Sequence, residues 1–273
     1  MYGTDVIVGI DGTTASEAAV RWAAAEADRG GGRLRIVCVA QRPDGTDRAV
    51  ERAVAAVRGR RSGLTVLGQV ILGDPVDVLV QLAAEAPLTV VGSHERTALV
   101  DALRGATGTR VAMRATGPVA VVRGRADATE GPVVVGVSGS RYDNRLLDTA
   151  FDAAARRGCD VVAIRVLPHQ VAPWGIGIPP LAPNPIRARA NLLTDLTEDV
   201  LRWHDKYPAV PAMARVPSGD PASVLLDASG EAQLLVLGGR PCGPAAGLLA
   251  ESVGHRLLFH AACPLLIQHA PAA

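Results

Sequence analysis

The sequence contains the same succession of short motifs twice. The run from Val6 to Gly12 returns between Val133 and Gly139, a shift of 127 residues, and Gly73-Asp74-Pro75 returns at Gly219 with a shift of 146. Two copies of one pattern, each long enough for a domain of ordinary size, predict a gene duplication rather than one large fold. We therefore expect both halves of the chain to have the same fold.

The two shifts differ by 19 residues, so the second copy carries an insertion. It falls in the Pro- and Gly-rich stretch 168–185, whose composition predicts a long loop. A short polar segment, 124–131, separates the copies and is typical of a linker. We expect domains at residues 1–125 and 131–273.

Short β-rich runs alternate with helical patterns in each copy, which predicts βαβ units on a parallel sheet. The first helical stripe, Ala19 to Ala27, has its counterpart between Leu146 and Ala154, and both predict a helix face packed on the sheet. The predicted strands are residues 5–10, 34–40, 64–72, 88–92 and 118–123 in the first copy and 132–137, 160–167, 209–216, 233–238 and 264–268 in the second.

Composition excludes several classes of protein. The 28 basic and 27 acidic residues give a net charge of +1, which argues against nucleic-acid binding, and Lys206 is the only lysine. No apolar run is long enough to span a membrane and no export signal is visible, so we expect a cytoplasmic protein without a membrane partner. The four widely spaced cysteines predict reduced thiols, and His255 and His260, five residues apart, predict no metal site.

Two predicted strands are followed by residues suited to binding. Asp11-Gly12-Thr13 comes after the first strand and Gly92-Ser93 after the fourth, with Gly105-Ala106-Thr107 further on. Open parallel sheets bind ligands at the carboxyl ends of their strands. A carboxylate there accepts hydrogen bonds from ribose hydroxyls or an adenine amino group, and a Gly-rich turn before a helix offers amides to phosphates. These residues are the candidate cofactor-binding site.

The order and spacing of these segments resemble the universal stress protein family. The resemblance rests on the run from Val8 to Thr13, the Gly-Asp-Pro before the third helix and the segment from Gly92 to Gly105 that leads into residues 117–122, and it covers both copies. It implies two tandem doubly wound, Rossmann-like domains of the adenine nucleotide alpha hydrolase-like kind, each a five-stranded parallel sheet flanked by helices. It also implies that the domains pair through their last strands, 118–123 and 264–268, as an intrachain pseudo-dimer. We expect each half to keep a sheet of its own.

Family members that bind ATP carry an Asp after the first strand and the pattern G-x2-G-x9-G-[S/T]. The first copy keeps Asp11, Gly92 and Gly105, but Glu95 replaces the second Gly and Ala106 the closing hydroxyl residue, with Thr107 as a displaced substitute. A carboxylate about 5 Å from a phosphate charge costs roughly 3 kcal/mol at an effective dielectric constant of about 20. The second copy departs further, with Ser138 in place of the Asp, Pro241 for the second Gly and Glu251 for the third, although Gly238 and Ser252 remain.

The sequence thus favours a regulatory or sensor module that binds ATP or another adenine nucleotide weakly, in the first domain only, with or without Mg²⁺. No catalytic nucleophile and base stand out, so we expect no enzymatic activity. The alternative is a nucleotide-free scaffold that acts through unidentified protein partners, using the insertion near Trp174 and Ile178. A homodimer is compatible with either function.

Overall fold

The computed structural model describes residues 5–42, 46–93, 106–167, 184–239 and 253–269. The first half consists, in chain order, of β1 (Asp5–Ile10), α1 (Thr14–Arg29), β2 (Arg33–Ala40), α2 (Thr46–Arg60), β3 (Thr65–Leu72), α3 (Pro75–Glu85), β4 (Leu88–Gly92), α4 (Ala106–Arg114) and β5 (Val119–Val122). The second half consists of β6 (Val133–Val137), α5 (Asp143–Arg157), β7 (Val161–Arg165), α6 (Pro185–His204), β8 (Ala212–Arg215), α7 (Pro221–Ser229), β9 (Leu234–Gly239), α8 (Val253–His260) and β10 (Leu265–His269).

All ten strands form one sheet in the order β3-β2-β1-β4-β5-β10-β9-β6-β7-β8. Every pair inside a half is parallel, and the halves join where β5 and β10 pair antiparallel, with Leu266 opposite Ala120. The fold class and the pairing through the last strands are confirmed. Our expectation of a separate sheet in each half is wrong, because the two last strands hydrogen-bond edge to edge and leave no free edge between the halves.

The repeated Gly-Asp-Pro motif has a structural explanation. In both copies the Asp caps a helix and the Pro occupies its first turn: Asp74 accepts hydrogen bonds from the amides of Val76 and Asp77, and Asp220 from that of Ser223. The glycine before each Asp has a positive φ, 152° at Gly73. A capping carboxylate and a Pro in the first turn are strong start signals for a helix.

Helices cover both faces of the sheet. On one face, α1 and α2 of the first half and α5 and α6 of the second share one continuous apolar core. On the other face, α3 with α4 and α7 with α8 form two separate cores. Where α1 meets α5, the guanidinium of Arg157 lies 2.5 Å from the carboxylate of Glu26, with both side chains at least nine-tenths buried. The halves are thus held together by strand pairing, a shared core and a buried ion pair.

Strand boundaries follow the sequence prediction closely except in the second half. Strand β7 ends at Arg165 rather than at 167, and β8 spans only Ala212–Arg215 within the predicted 209–216. Beyond β7, only an isolated bridge between Leu167 and Ser218 continues the pairing. Residues 168–183 of the predicted insertion, with Trp174 and Ile178, lie outside the described residues, whereas its last residue, Pro185, begins α6 rather than ending a loop. In the part of the chain that is described, no helix has the length and apolar character to cross a membrane.

Candidate functional site

Strands β1 and β4 lie side by side and parallel, with Val8 opposite Val90. From this pair the sheet continues in opposite directions, to β2 on one side and to β5 on the other. A topological switch point of this kind opens a crevice at the carboxyl ends of the strands. Here the crevice contains a cavity of about 110 Å³. Its lining residues are Gly9, Ile10, Asp11, Thr13, Ser16, Val37, Val39, Pro75, Leu79, Val91, Gly92, Thr107 and Gly108.

The turn from β1 to α1 presents the carboxylate. One oxygen of Asp11, Oδ1, accepts hydrogen bonds from the amide and the hydroxyl of Thr13, at 3.1 and 2.6 Å. Thr13 in turn caps α1 by accepting from the amide of Ser16. Gly12 makes the tight turn with φ of 79° and nothing near the place of a side chain. Asp11 is therefore held in position yet exposed, and its Oδ2 accepts no hydrogen bond from the described residues.

Gly92, at the end of β4, has a packing role that sequence reasoning did not assign. A Cβ atom there would lie 2.6 Å from the carbonyl oxygen of Ala15, in the first turn of α1. The next residue, Ser93, donates its amide hydrogen to the carbonyl of Val122 on β5. Gly92 therefore lets α1 pack directly on the end of β4, and the Ser93 amide is already used inside the sheet.

Helix α4 starts at the same edge of the sheet. Thr107 and Gly108 of its first turn line the cavity, and a Cβ atom at Gly108 would lie 2.6 Å from the carbonyl oxygen of Gly92. The first amides of a helix lack internal partners and carry a partial positive charge, so they favour an anion. Gly105 and Glu95 lie outside the described residues, as does the side chain of Ala106.

The opposite wall of the cavity is apolar. It is formed by Val37 and Val39 of β2, Leu79 of α3 and Val91 of β4. An aliphatic slot beside an exposed carboxylate offers a flat heteroaromatic ring contact on its faces and a hydrogen-bond acceptor at its edge. Sequence reasoning missed these residues, since their periodicity marks them only as core.

The corresponding turn of the second half is already filled. Asp143, the first residue of α5, accepts hydrogen bonds at Oδ2 from the amides of Ser138, Gly139 and Ser140, at 3.0, 2.6 and 3.1 Å. Its Oδ1 accepts from the Ser138 and Ser140 hydroxyls. Because Asp143 is only 7% exposed, the turn encloses its own carboxylate and offers none of these donors to a ligand.

An arginine also lies over that turn. A Cβ atom at Gly139 would lie 2.1 Å from a guanidinium nitrogen of Arg165, at the end of β7. The corresponding residue of the first half is Cys38 on β2. No motif in the sequence predicted that Asp143 fills the turn. Pro241, Glu251 and Ser252 lie outside the described residues.

Among the described residues, the buried thiols Cys38 and Cys263 do not have the character of nucleophiles. Burial raises the pKa of the Cys38 thiol, and the negative charges of Asp11 and Asp47 raise it further. Burial likewise raises the pKa of Cys263 to about 12. Both thiols are therefore protonated at neutral pH and poor nucleophiles. Within the described ranges, no group of three or more His, Cys, Asp or Glu side chains is arranged to hold a metal ion.

Comparison with known proteins identifies the family. The sequence model of the universal stress protein family matches residues 4–123 and again residues 131–269. The chain belongs to the universal stress protein family. A universal stress protein of Mycolicibacterium smegmatis is 32% identical over 292 residues, which cover 97% of this chain and 96% of the relative. One from Mycobacterium tuberculosis strain H37Rv is 30% identical, covering 96% of each chain.

A solved structure supports the fold of this universal stress protein. The crystal structure of a universal stress protein from Archaeoglobus fulgidus superposes with a TM-score of 0.72 over 98% of this chain and 96% of its own. Sequence identity in that comparison is 15%, so it bears on the fold alone.

Proposed function

We propose that this universal stress protein is a sensor that binds one adenine nucleotide, in its first domain, and that the second domain binds none. The domains we propose are residues 1–125 and 131–273. The observation that carries the proposal is the contrast between the two equivalent turns. Asp11 is exposed at the edge of a cavity, whereas the Ser138 turn encloses Asp143.

The arrangement of the first domain suits the three parts of a nucleotide. The base lies in the slot between Val39 and Leu79, and Asp11 accepts hydrogen bonds from the ribose hydroxyls or the adenine amino group. The phosphates lie toward the start of α4, where Thr107 supplies a hydroxyl and the helix dipole favours negative charge. Gly12 and Thr13 hold Asp11 in place. Gly92 and Ser93 fix the position of the end of β4 at the edge of the site. Gly105, just before α4, is proposed to complete the phosphate contact.

The size of the cavity limits how the ligand fits. At about 110 Å³ it is smaller than the roughly 300–1,000 Å³ of typical ligand pockets. We propose that it takes the base, with the ribose and phosphates lying along its mouth. Fewer buried contacts, together with Glu95 in place of a glycine, make this a weak site suited to reporting a change in nucleotide concentration.

The function is binding rather than catalysis. The described residues of the site include one carboxylate, that of Asp11, and this carboxylate accepts its hydrogen bonds from Thr13. General acid–base hydrolysis needs a base at the attacking water and an acid at the leaving group, and a single carboxylate does not supply both at once. At this site the chain supplies hydrogen-bond acceptors, the dipole of α4 and an apolar wall. These groups can bind a nucleotide without reacting with it.

Isothermal titration calorimetry tests the proposal. ATP, AMP and GTP are titrated into the wild-type protein with and without Mg²⁺, and into the variants Asp11→Asn and Asp127→Asn. Because a hydrogen bond to a charged group contributes roughly 1.5–3 kcal/mol, Asp11→Asn is expected to weaken adenine-nucleotide binding about 10- to 100-fold. Asp127, an exposed carboxylate on the linker that pairs with Arg21, is the matched control and leaves affinity unchanged. Equal affinity of wild type and Asp11→Asn, or no binding by wild type, contradicts the proposal.

A further inference from the structure

Helix α6 has an apolar stripe that nothing in the described chain covers. Its buried face packs on the sheet through Leu196 and Val200, but three large aliphatic side chains beside that face stay exposed. Ile186 is 79% exposed, Leu193 40% and Leu201 59%. With the exposed Ala190 and Thr197 between them, they recur at spacings of three and four residues and so line one side of the helix.

The stripe lies at the outer edge of the molecule. Helix α5 contacts α6 on the other side, where Phe151 stacks on Trp203 and Asp148 accepts a hydrogen bond from Lys206. Strand β8, beneath α6, is the last strand of the sheet. Among the residues that the structure describes, none covers the side of α6 that carries the stripe, and we take that side as the docking surface.

Thr197, the polar member of the stripe, is satisfied within the helix. Its hydroxyl donates a hydrogen bond of 2.7 Å to the carbonyl of Leu193, one turn earlier. A hydroxyl bonded to its own helix leaves mainly its methyl group for contact. The stripe therefore presents an apolar surface along about four turns of helix.

The duplicated half provides an internal comparison. Helix α2 occupies the same place in the first half, and its buried residues align with those of α6 at a shift of 146, Val50 with Leu196 and Val57 with Trp203. At the same shift, Leu193 corresponds to Asp47 and Thr197 to Glu51, both exposed. At these two positions α2 carries charged side chains where α6 carries Leu193 and Thr197. The fold therefore does not require uncharged side chains there.

The stripe is also nearly symmetric about its middle. Leu193 lies at the centre, Ala190 and Thr197 lie on either side, and Ile186 and Leu201 lie at the two ends. An antiparallel copy of the same helix would place Ile186 against Leu201 of the second copy and Leu193 close to its own counterpart. A surface complementary to itself is the property that a two-fold interface requires.

The charges beside the stripe fit the same arrangement. Arg187 and Glu198 are exposed, and neither forms an ion pair with a described residue. In the antiparallel arrangement, Arg187 of one copy lies within about one helical turn of Glu198 of the other, which gives two complementary pairs per interface. In a parallel arrangement the two copies of this flank would lie on opposite sides of the interface, so Arg187 could not reach Glu198 of the other copy.

We propose that a second copy of this chain docks on α6, with the two α6 helices antiparallel and Leu193 at the two-fold axis. Sedimentation velocity over protein concentrations from about 5 to 500 µM measures the dimer. Leu193→Glu places two carboxylates face to face at the axis and is expected to weaken dimerisation at least roughly 30-fold, the scale of a central interface residue. Leu67→Glu, at an aliphatic residue of β3 that is 49% exposed, is the matched control and leaves the dimer intact. A wild-type monomer throughout this range, or a dimer that Leu193→Glu leaves unchanged, overturns the proposal.

Cysteine cross-linking tests the orientation without weakening the interface. Leu193→Cys is expected to form a disulfide-linked dimer on mild oxidation. Leu201→Cys alone does not, because in the antiparallel pair the two copies of that residue lie about 22 Å apart along the helix axes. The wild-type protein, oxidised in the same way, shows any cross-linking that comes from the native cysteines alone. Cross-linking of Leu201→Cys to the same extent as Leu193→Cys, or of neither variant, contradicts the antiparallel arrangement.

Discussion

Replacing Asp143 by Asn tests the interpretation of the second-half turn. The variant keeps the size of the side chain but removes the charge that three backbone amides and two hydroxyls surround. A hydrogen bond to a charged group contributes roughly 1.5–3 kcal/mol and one to a neutral group roughly 0.5–1.5, so each amide bond loses about 1 kcal/mol. Since the bonds are not additive, we expect the free energy of unfolding to fall by about 2–3 kcal/mol.

Urea unfolding followed by far-ultraviolet circular dichroism measures this loss. With a denaturant dependence of about 3 kcal/mol per M, the midpoint falls by about 0.7–1 M. The control is Asp127→Asn, whose surface ion pair with Arg21 contributes less than about 1 kcal/mol. If Asp143→Asn shifts the midpoint no more than this control, the carboxylate does not organise the turn and our reason for its closure is refuted.

Three further variants test packing and charge. Gly92→Ala places a Cβ atom 2.6 Å from the carbonyl oxygen of Ala15, so we expect the unfolding free energy to fall by about 1–3 kcal/mol, and unchanged thermal stability would contradict that contact. Glu26→Gln leaves the guanidinium of Arg157 buried without its counterion, and a loss of about 3 kcal/mol is expected in urea unfolding; a loss under about 1 kcal/mol would show that the pair does not join the halves. Burial lowers the pKa of His269, so the unfolded chain binds more protons than the folded one as the pH falls below about 6.5, and stability decreases over that window. In His269→Leu the urea midpoint should depend less on pH between about 7 and 5, and an identical pH dependence would argue against a role for this histidine.

The strands and helices could be predicted along the chain because their signals are local and occur twice. Buried runs such as Val133–Val137 are continuous apolar stretches, and the Gly-Asp-Pro turns mark the same helix start in both halves. Periodicity and capping residues act within a few positions of the chain, so the sequence displays them directly. That the two sheets merge depends instead on hydrogen bonds between β5 and β10, which are far apart in sequence.

The site was only partly predictable, and the reason is again the range of the contacts. Asp11, Gly12 and Thr13 follow a strand directly, and the structure brings Asp11 and Thr13, but not Gly12, to one cavity with Gly92 and Thr107. The packing of Gly92 on α1 joins residues far apart in the chain. The enclosure of Asp143 is local, but an Asp at the first position of a helix ordinarily indicates only a favourable interaction with the dipole.

The two halves share one fold but differ in the turn that follows their first strand, β1 or β6. Both halves keep the strand order that creates a switch point, so each has a potential site. The position of the carboxylate distinguishes the two turns: Asp11 lies in its turn and is exposed, whereas Asp143 of α5 accepts the hydrogen bonds of its own turn. In our proposal this difference confines nucleotide binding to the first half.

Native mass spectrometry with a saturating adenine nucleotide measures directly how many of the two halves bind. Our account predicts a single mass addition per chain in wild type and in Asp143→Asn, and a much smaller bound fraction in Asp11→Ala at the same nucleotide concentration. Two additions per chain in wild type, or a bound fraction in Asp11→Ala equal to that of wild type, would contradict the central claim that only the first half carries a site.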